Sequence, residues 1–146
     1  MNESNRMRTE FPSKSVNERF ARSVVASFIS QLDPTLDEVG DIKTAVSEAV
    51  TNCIVHAYPD SIGKIQLTVR LFEGSVIEIT VRDFGRGIEN IEKAREPMFT
   101  TGGDERSGMG FTIMESFTDS MKVKSKVGKG TTVTMRLKLH RRAGKR

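Results

Sequence analysis

At 146 residues, with 36% hydrophobic and 29% charged side chains, the chain has the size and composition of one folded domain and not of a disordered segment. Its apolar runs are only a few residues long, which excludes a membrane-spanning helix, and the polar start Met1-Asn2-Glu3-Ser4-Asn5-Arg6 does not read as a secretory leader. A single cysteine, Cys53, cannot form an internal disulfide, so a cytoplasmic location is expected.

The net charge of +4 owes much to the segment His140-Arg141-Arg142-Ala143-Gly144-Lys145-Arg146. We read residues 1–139 as one domain and 140–146 as a basic, solvated tail. No aromatic residue interleaves with the tail, so it offers no surface for stacking bases. Neither a direct nucleic-acid partner nor a membrane is expected.

In chain order, residues 6–11 read as a short first strand. Ser15-Val16-Asn17-Glu18 has the spacing of a capping box, and behind it Phe20, Val24, Phe28 and Leu32 recur every four residues along one helix face. Asp33-Pro34 ends that helix and is expected to start a second, with Asp33 as cap. Leu36, Val39, Ile42, Val46, Val50 and Cys53 then form an apolar stripe, and Tyr58-Pro59-Asp60 stops the helix.

The period changes to two at Ile65-Leu67-Val69-Leu71, and again at Ile77-Ile79-Val81 after the turn residues Glu73-Gly74, which predicts an antiparallel hairpin. Residues 84–107 are loop-rich, with a short helix near 89–95. Gly108 and Gly110 lead into a helix through Phe117, and Met121–Val127 with Thr132–Leu139 predict a closing hairpin around Gly128-Lys129-Gly130. The expected class is α+β: a two-layer α/β sandwich with a mixed, mostly antiparallel sheet covered on one face by helices.

Four features carry candidate chemistry. Asp83 has the parity of Ile77, Ile79 and Val81, so it points to the buried side, where a carboxylate needs donors. Gly85 and Gly87 follow it and let backbone pass close to a bound group. An acid there can accept from an adenine amino group, although Asp-x-Gly is also ordinary turn chemistry.

Glu48 and Asn52, four residues apart, are neighbours on one helix face, with His56 on the same ridge. A solvated polar face has the same pattern. If the face instead lines a cleft, Asn52 can give an oxygen to Mg²⁺, and Glu48 can take the proton of an attacking hydroxyl. No role is assigned to His56.

Glu105-Arg106-Ser107-Gly108-Met109-Gly110-Phe111 enters a helix, where free N–H groups can hold phosphate oxygens. Phe99-Thr100-Thr101-Gly102-Gly103 before it is polar enough to close as a lid, and Arg106 can meet phosphate charge. Gly130-Thr131-Thr132 opens the last strand.

Taken in order, Glu-x-x-x-Asn on a helix, Asp-x-Gly-x-Gly after a strand, Gly-x-Gly before a helix and Gly-Thr-Thr opening a strand resemble the ATPase superfamily of gyrase, the Hsp90 chaperones, histidine kinases and MutL. The resemblance spans about residues 35–139 and implies a histidine-kinase-type ATP-binding fold. The Gly-x-x-x-x-Gly-Lys-Ser/Thr loop of other nucleotide-binding proteins is absent.

Within that superfamily the chain looks most like the bacterial anti-sigma factor serine kinases, nearest to their sporulation members. Asn17-Glu18-Arg19-Phe20-Ala21-Arg22, Val46 through Asn52 and Glu105 through Glu115 carry this likeness. It implies ATP or ADP with Mg²⁺ as cofactors, Asn52 on the metal, Asp83 on adenine and Gly108 with Gly110 around the phosphates. Gly85, Gly87, Thr100 and Thr101 are further candidate nucleotide contacts, as are Arg106, Ser107, Phe111 and Thr131.

The same likeness implies Glu48 as the base toward a partner's serine and Arg22 as a contact to protein partners. It further implies a homodimer that holds a sporulation sigma factor (sigma F) inactive and phosphorylates an anti-anti-sigma protein. The lid between Thr101 and Arg106 is short and glycine-rich beside the family pattern. Three alternatives stand: a non-catalytic ATP-dependent sigma-binding module, the related stress-response anti-sigma kinase, and the catalytic half of a histidine kinase.

Overall fold

Two stretches of period-two hydrophobicity make the centre of the sheet. In the computed structural model, which describes residues 2–96 and 110–139, they are β2 (Lys64–Phe72) and β3 (Val76–Asp83), paired antiparallel with Ile65 opposite Asp83 and Leu71 opposite Ile77. One face of this pair is wholly apolar until Asp83, because alternate side chains of a strand share a face. The turn between them carries Gly74 and Ser75 at positive φ.

β1 (Glu3–Pro12), β4 (Ser120–Lys126) and β5 (Gly130–Lys138) complete a five-stranded sheet in the order β1-β2-β3-β5-β4. Among the described residues all four pairings are antiparallel, without the parallel component of a mixed sheet. β1 also starts earlier than the expected 6–11, since its polar first half pairs along the β2 edge. On the open face Arg70 bridges Glu3 (2.6 Å) and Glu78 (3.1 Å), and Arg136 holds Glu78 at 2.8 Å.

Helices α1 (Asn17–Ile29), α2 (Leu36–Asn52) and α4 (Gly110–Ser116) lie on the other face, with a short α3 (Ile91–Ala94) beside β4. The fully buried ridge of α1 is Ala21, Val25 and Ile29, while Val24, Phe28 and Leu32 of the expected ridge are half-buried against the core and Phe20 is exposed. The two ridges are one residue apart, so together they form one broad apolar face of α1. Phe20 remains 45% exposed and meets Phe11 edge-to-face at 5.8 Å.

Helix starts also differ from expectation. The Ser15–Glu18 box does not form: Val16 occupies the cap position without a side-chain bond. Glu18 is engaged elsewhere, holding Arg22 at 2.7 Å and accepting the Ser47 hydroxyl of α2. α2 is capped by Thr35, not Asp33. Thr35 Oγ1 accepts from Glu38 N (3.1 Å) while Glu38 Oε1 accepts from Thr35 N (2.8 Å), a box whose cap is worth about 1 kcal/mol. Asp33 instead takes a left-handed backbone, φ 56°.

Along α2, Ile42, Val46, Val50 and Cys53 are buried as expected, joined by Ala45 and Ala49, whereas Leu36 is 90% exposed. Among the described residues no helix is long and apolar enough to cross a membrane. The expected lid and the tail lie outside the described residues.

Candidate functional site

Asp83 is the single acidic side chain on the helix-facing side of β3, and it is only 5% exposed. Oδ1 accepts the backbone N–H groups of Gly85 (3.0 Å) and Thr131 (3.1 Å), and Oδ2 accepts the Cys53 thiol at 3.6 Å. These donors come from the loop after β3, the start of β5 and the end of α2, so one carboxylate ties three segments together. Burial pushes the Asp83 carboxyl above its usual range, opposed by the two N–H groups and then the thiol. Burial, and next the charge of Asp83, push the Cys53 thiol up as well, which keeps it protonated and a donor.

Asn52 is the last residue of α2, and the helix continues as one π-helical turn over Cys53–Ala57, closed by Tyr58 N to Cys53 O at 3.2 Å. Such wide turns are rare and gather at functional sites. This one lines a cavity with Cys53, His56 and Ala57. The Ala57 carbonyl accepts Arg86 N–H at 3.2 Å, clamping the turn onto the loop after β3. Tyr58 reinforces the clamp: its hydroxyl accepts Phe84 N–H (2.6 Å) and donates to the Lys64 carbonyl (2.7 Å).

The cavity has a volume of about 680 Å³, within the range of sites for small organic ligands. Asn52, Asp83, Gly87, Gly110, Phe111 and Thr131 all line it. These residues, named from sequence and scattered over the chain, are thus brought to one place. Gly110 is close enough to Asn52 that a Cβ there would lie 3.0 Å from Asn52 Oδ1.

Gly85 and Gly87 serve the backbone first. A Cβ on Gly85 would run into the Ala57 carbonyl, and one on Gly87, at φ +80°, into the Lys126 carbonyl. Gly87 still lines the cavity, and Gly85 reaches it only through its bond to Asp83.

Glu48 is half-buried one turn before Asn52 and stands outside this lining. Arg22 lies on α1, paired with Glu18 and outside the cavity lining. Thr100, Thr101, Arg106, Ser107 and Gly108 fall outside the described residues.

Several lining residues have no periodic or motif signal. Arg86, Asn90 and Lys93 bring two cations and an amide from the loop and α3. Ser125 acts from behind: its hydroxyl accepts Ile88 N–H (2.7 Å) and pairs with Thr131 Oγ1 (2.7 Å), fixing the β5 end that holds Asp83. Only the partial Ser/Thr character of this hairpin end hints at it.

The chemistry suits a nucleotide. A buried carboxylate supplies an acceptor at one wall, Asn52 supplies an amide oxygen, and Arg86 with Lys93 supply positive charge. The lining is otherwise largely apolar, as a base requires.

Known proteins share this sequence and fold. Residues 11–137 match the family model described as the histidine kinase-like ATPase domain. An anti-sigma F factor of Thermoanaerobacter sp. (strain X514) is 57% identical over 137 residues, covering 92% of this chain and 94% of that protein. The anti-sigma F factor of Priestia megaterium is 53% identical over 134 residues, covering 90% and 91%.

Among solved structures, that of the RsbU and RsbW domains of a Mycobacterium tuberculosis protein superposes with a TM-score of 0.71 at 20% identity, a likeness of fold. It covers 96% of this chain and 34% of that one. The histidine kinase domain of a blue-light activated kinase of Erythrobacter litoralis gives 0.57 at 25% identity, covering 81% and 59%. The chain therefore belongs to the histidine kinase-like ATPase domain family and, within it, to the anti-sigma F factors.

Proposed function

We propose that the chain binds ATP or ADP with Mg²⁺ in the cavity floored by Asp83, inhibits a sporulation sigma factor, and phosphorylates a serine of an anti-anti-sigma protein. The observation that carries the reading is the buried Asp83 carboxylate, held by three donors in a cavity that also contains Asn52.

In this reading Asp83 accepts from the adenine amino group and Gly110 lets the chain pass close to Asn52. Among the described residues no group of three His, Cys, Asp or Glu side chains could hold a metal alone. Mg²⁺ would have Asn52 as its protein oxygen, with phosphates and water completing its shell. Bound ATP supplies the phosphoryl group, and Mg²⁺ neutralises its charge. Arg86 and Lys93 add positive charge, and Glu48 takes the hydroxyl proton of the incoming serine. Thr100, Thr101, Arg106, Ser107 and Gly108 would complete the phosphate side, Arg22 would meet protein partners, and the working unit is a homodimer in the cytoplasm.

The test uses labelled ATP, Mg²⁺ and the purified anti-anti-sigma protein of the same organism. Transfer by the unaltered chain and its loss in Glu48→Ala, with ADP binding retained, is the expected result. Undiminished transfer by that variant removes Glu48 from the mechanism. Its position outside the cavity lining favours one alternative, a module in which nucleotide binding governs sigma capture without catalysis. Nucleotide-dependent capture without any phosphorylated partner would select it.

A further inference from the structure

The two oxygens of Asp83 are not equivalent. Oδ1 accepts two backbone N–H groups, at 3.0 and 3.1 Å, which fills its two lone pairs. Oδ2 accepts a single bond among the described residues, from Cys53 Sγ at 3.6 Å. Cys53 is 4% exposed, lines the same cavity, and sits where α2 widens into its π turn. One Oδ2 lone pair is therefore left for a donor inside the cavity.

We infer that Cys53 is a positioning residue for base recognition: its thiol orients the Asp83 carboxylate and leaves one Oδ2 lone pair for the amino group of an adenine-class base. The inference rests on the nucleotide-binding reading above. The backbone donors fix Oδ1, and among the described residues this thiol is the one anchor of Oδ2. An S–H group suits the task because it donates weakly. It occupies one lone pair without drawing the carboxylate out of the cavity, and it makes little demand of its own when buried. A base with a carbonyl in place of the amino group presents acceptor to acceptor and gains nothing from the arrangement.

The experiment is calorimetric titration of the full chain with ADP and with inosine diphosphate, each with Mg²⁺, for the unaltered protein, Cys53→Ala and Cys53→Ser. Thermal unfolding of the three ligand-free proteins is measured alongside. The unaltered chain is expected to prefer ADP. Cys53→Ala is expected to weaken ADP by about three- to fivefold, the lower range for a hydrogen bond because the thiol is a weak donor, while inosine diphosphate binding stays constant. Cys53→Ser, which keeps a donor on a similar arm, is expected to restore the preference to within about twofold.

A preference unchanged in Cys53→Ala removes Cys53 and leaves Asp83 in place. Equal weakening of both nucleotides, with a lower unfolding midpoint, assigns the cysteine to packing and overturns the inference. If the unaltered chain binds ADP and inosine diphosphate equally, Asp83 does not read the base: the inference about Cys53 is overturned, and nucleotide binding stands without that contact.

Discussion

The Thr131 amide donates to Asp83 Oδ1 across 3.1 Å, joining the first residues of β5 to the last residue of β3. These strands are neighbours in the sheet, but their ladder pairing runs from Val76↔Lys138 to Arg82↔Thr132 and stops there. Asp83 thus replaces the next backbone partner with a side chain and becomes the hinge point between sheet and cavity. A carboxylate in this role stabilises the local backbone while holding charge in an apolar place. The two effects oppose each other, and the balance depends on pH.

Burial raises the Asp83 carboxyl above its ordinary value of 3.8. The folded chain then binds this proton more tightly than the unfolded chain, so the contribution of Asp83 to stability falls as pH climbs from 3.8 through the raised value. Asp83→Asn keeps an oxygen for the Gly85 and Thr131 amides and cannot ionise. Its ligand-free unfolding midpoint should exceed that of the unaltered chain at pH 7, and the gap should close as pH is lowered below that window. Urea melts at a series of pH values check it; a gap of constant size would place the cost elsewhere.

Tyr58 links the start of β2 to the loop after β3 through one hydroxyl that accepts from Phe84 N and donates to Lys64 O. Tyr58→Phe keeps the ring and deletes both bonds. The expected loss is about 1–2 kcal/mol in urea unfolding, the sum for two ordinary hydrogen bonds. An unchanged midpoint would show that water replaces the hydroxyl at no cost.

Two glycines should respond in opposite directions to alanine. Gly87, at φ +80° with its Cβ direction blocked by the Lys126 carbonyl, should lose about 1–3 kcal/mol. Gly40, on an exposed stretch of α2 with nothing within 4 Å of the added carbon, should gain about 0.5–1 kcal/mol from helix propensity. Parallel denaturant melts of Gly87→Ala and Gly40→Ala distinguish a required backbone from a merely permissive one.

What could be read from sequence was what periodicity and local spacing encode. The β2–β3 hairpin and the inward parity of Asp83 follow from alternation alone, and the cavity gathers Asn52, Asp83, Gly110 and Thr131 as the order of motifs implied. Readings failed where another partner displaced the expected one. Glu18 has the spacing to cap α1, but Arg22 and Ser47 hold its carboxylate. The ridge headed by Phe20 packs on the core from Val24 onward, but its neighbour Ala21, Val25 and Ile29 is the more deeply buried, and Phe20 itself stays exposed. The π turn at Cys53–Ala57 has no signature at a period of 3.6, so the approach of Cys53 to Asp83 was not legible. Tyr58 and Ser125 act through single hydroxyl groups on distant backbone, which no pattern in one chain announces.

The most direct test of the account is a calorimetric titration of Asp83→Asn with ADP and Mg²⁺, beside the unaltered chain. In the variant an amide N–H₂ can meet the amino group of the base, donor against donor, and a loss of affinity of at least about a hundredfold is predicted. Retention of the unaltered affinity by a folded Asp83→Asn protein would contradict it.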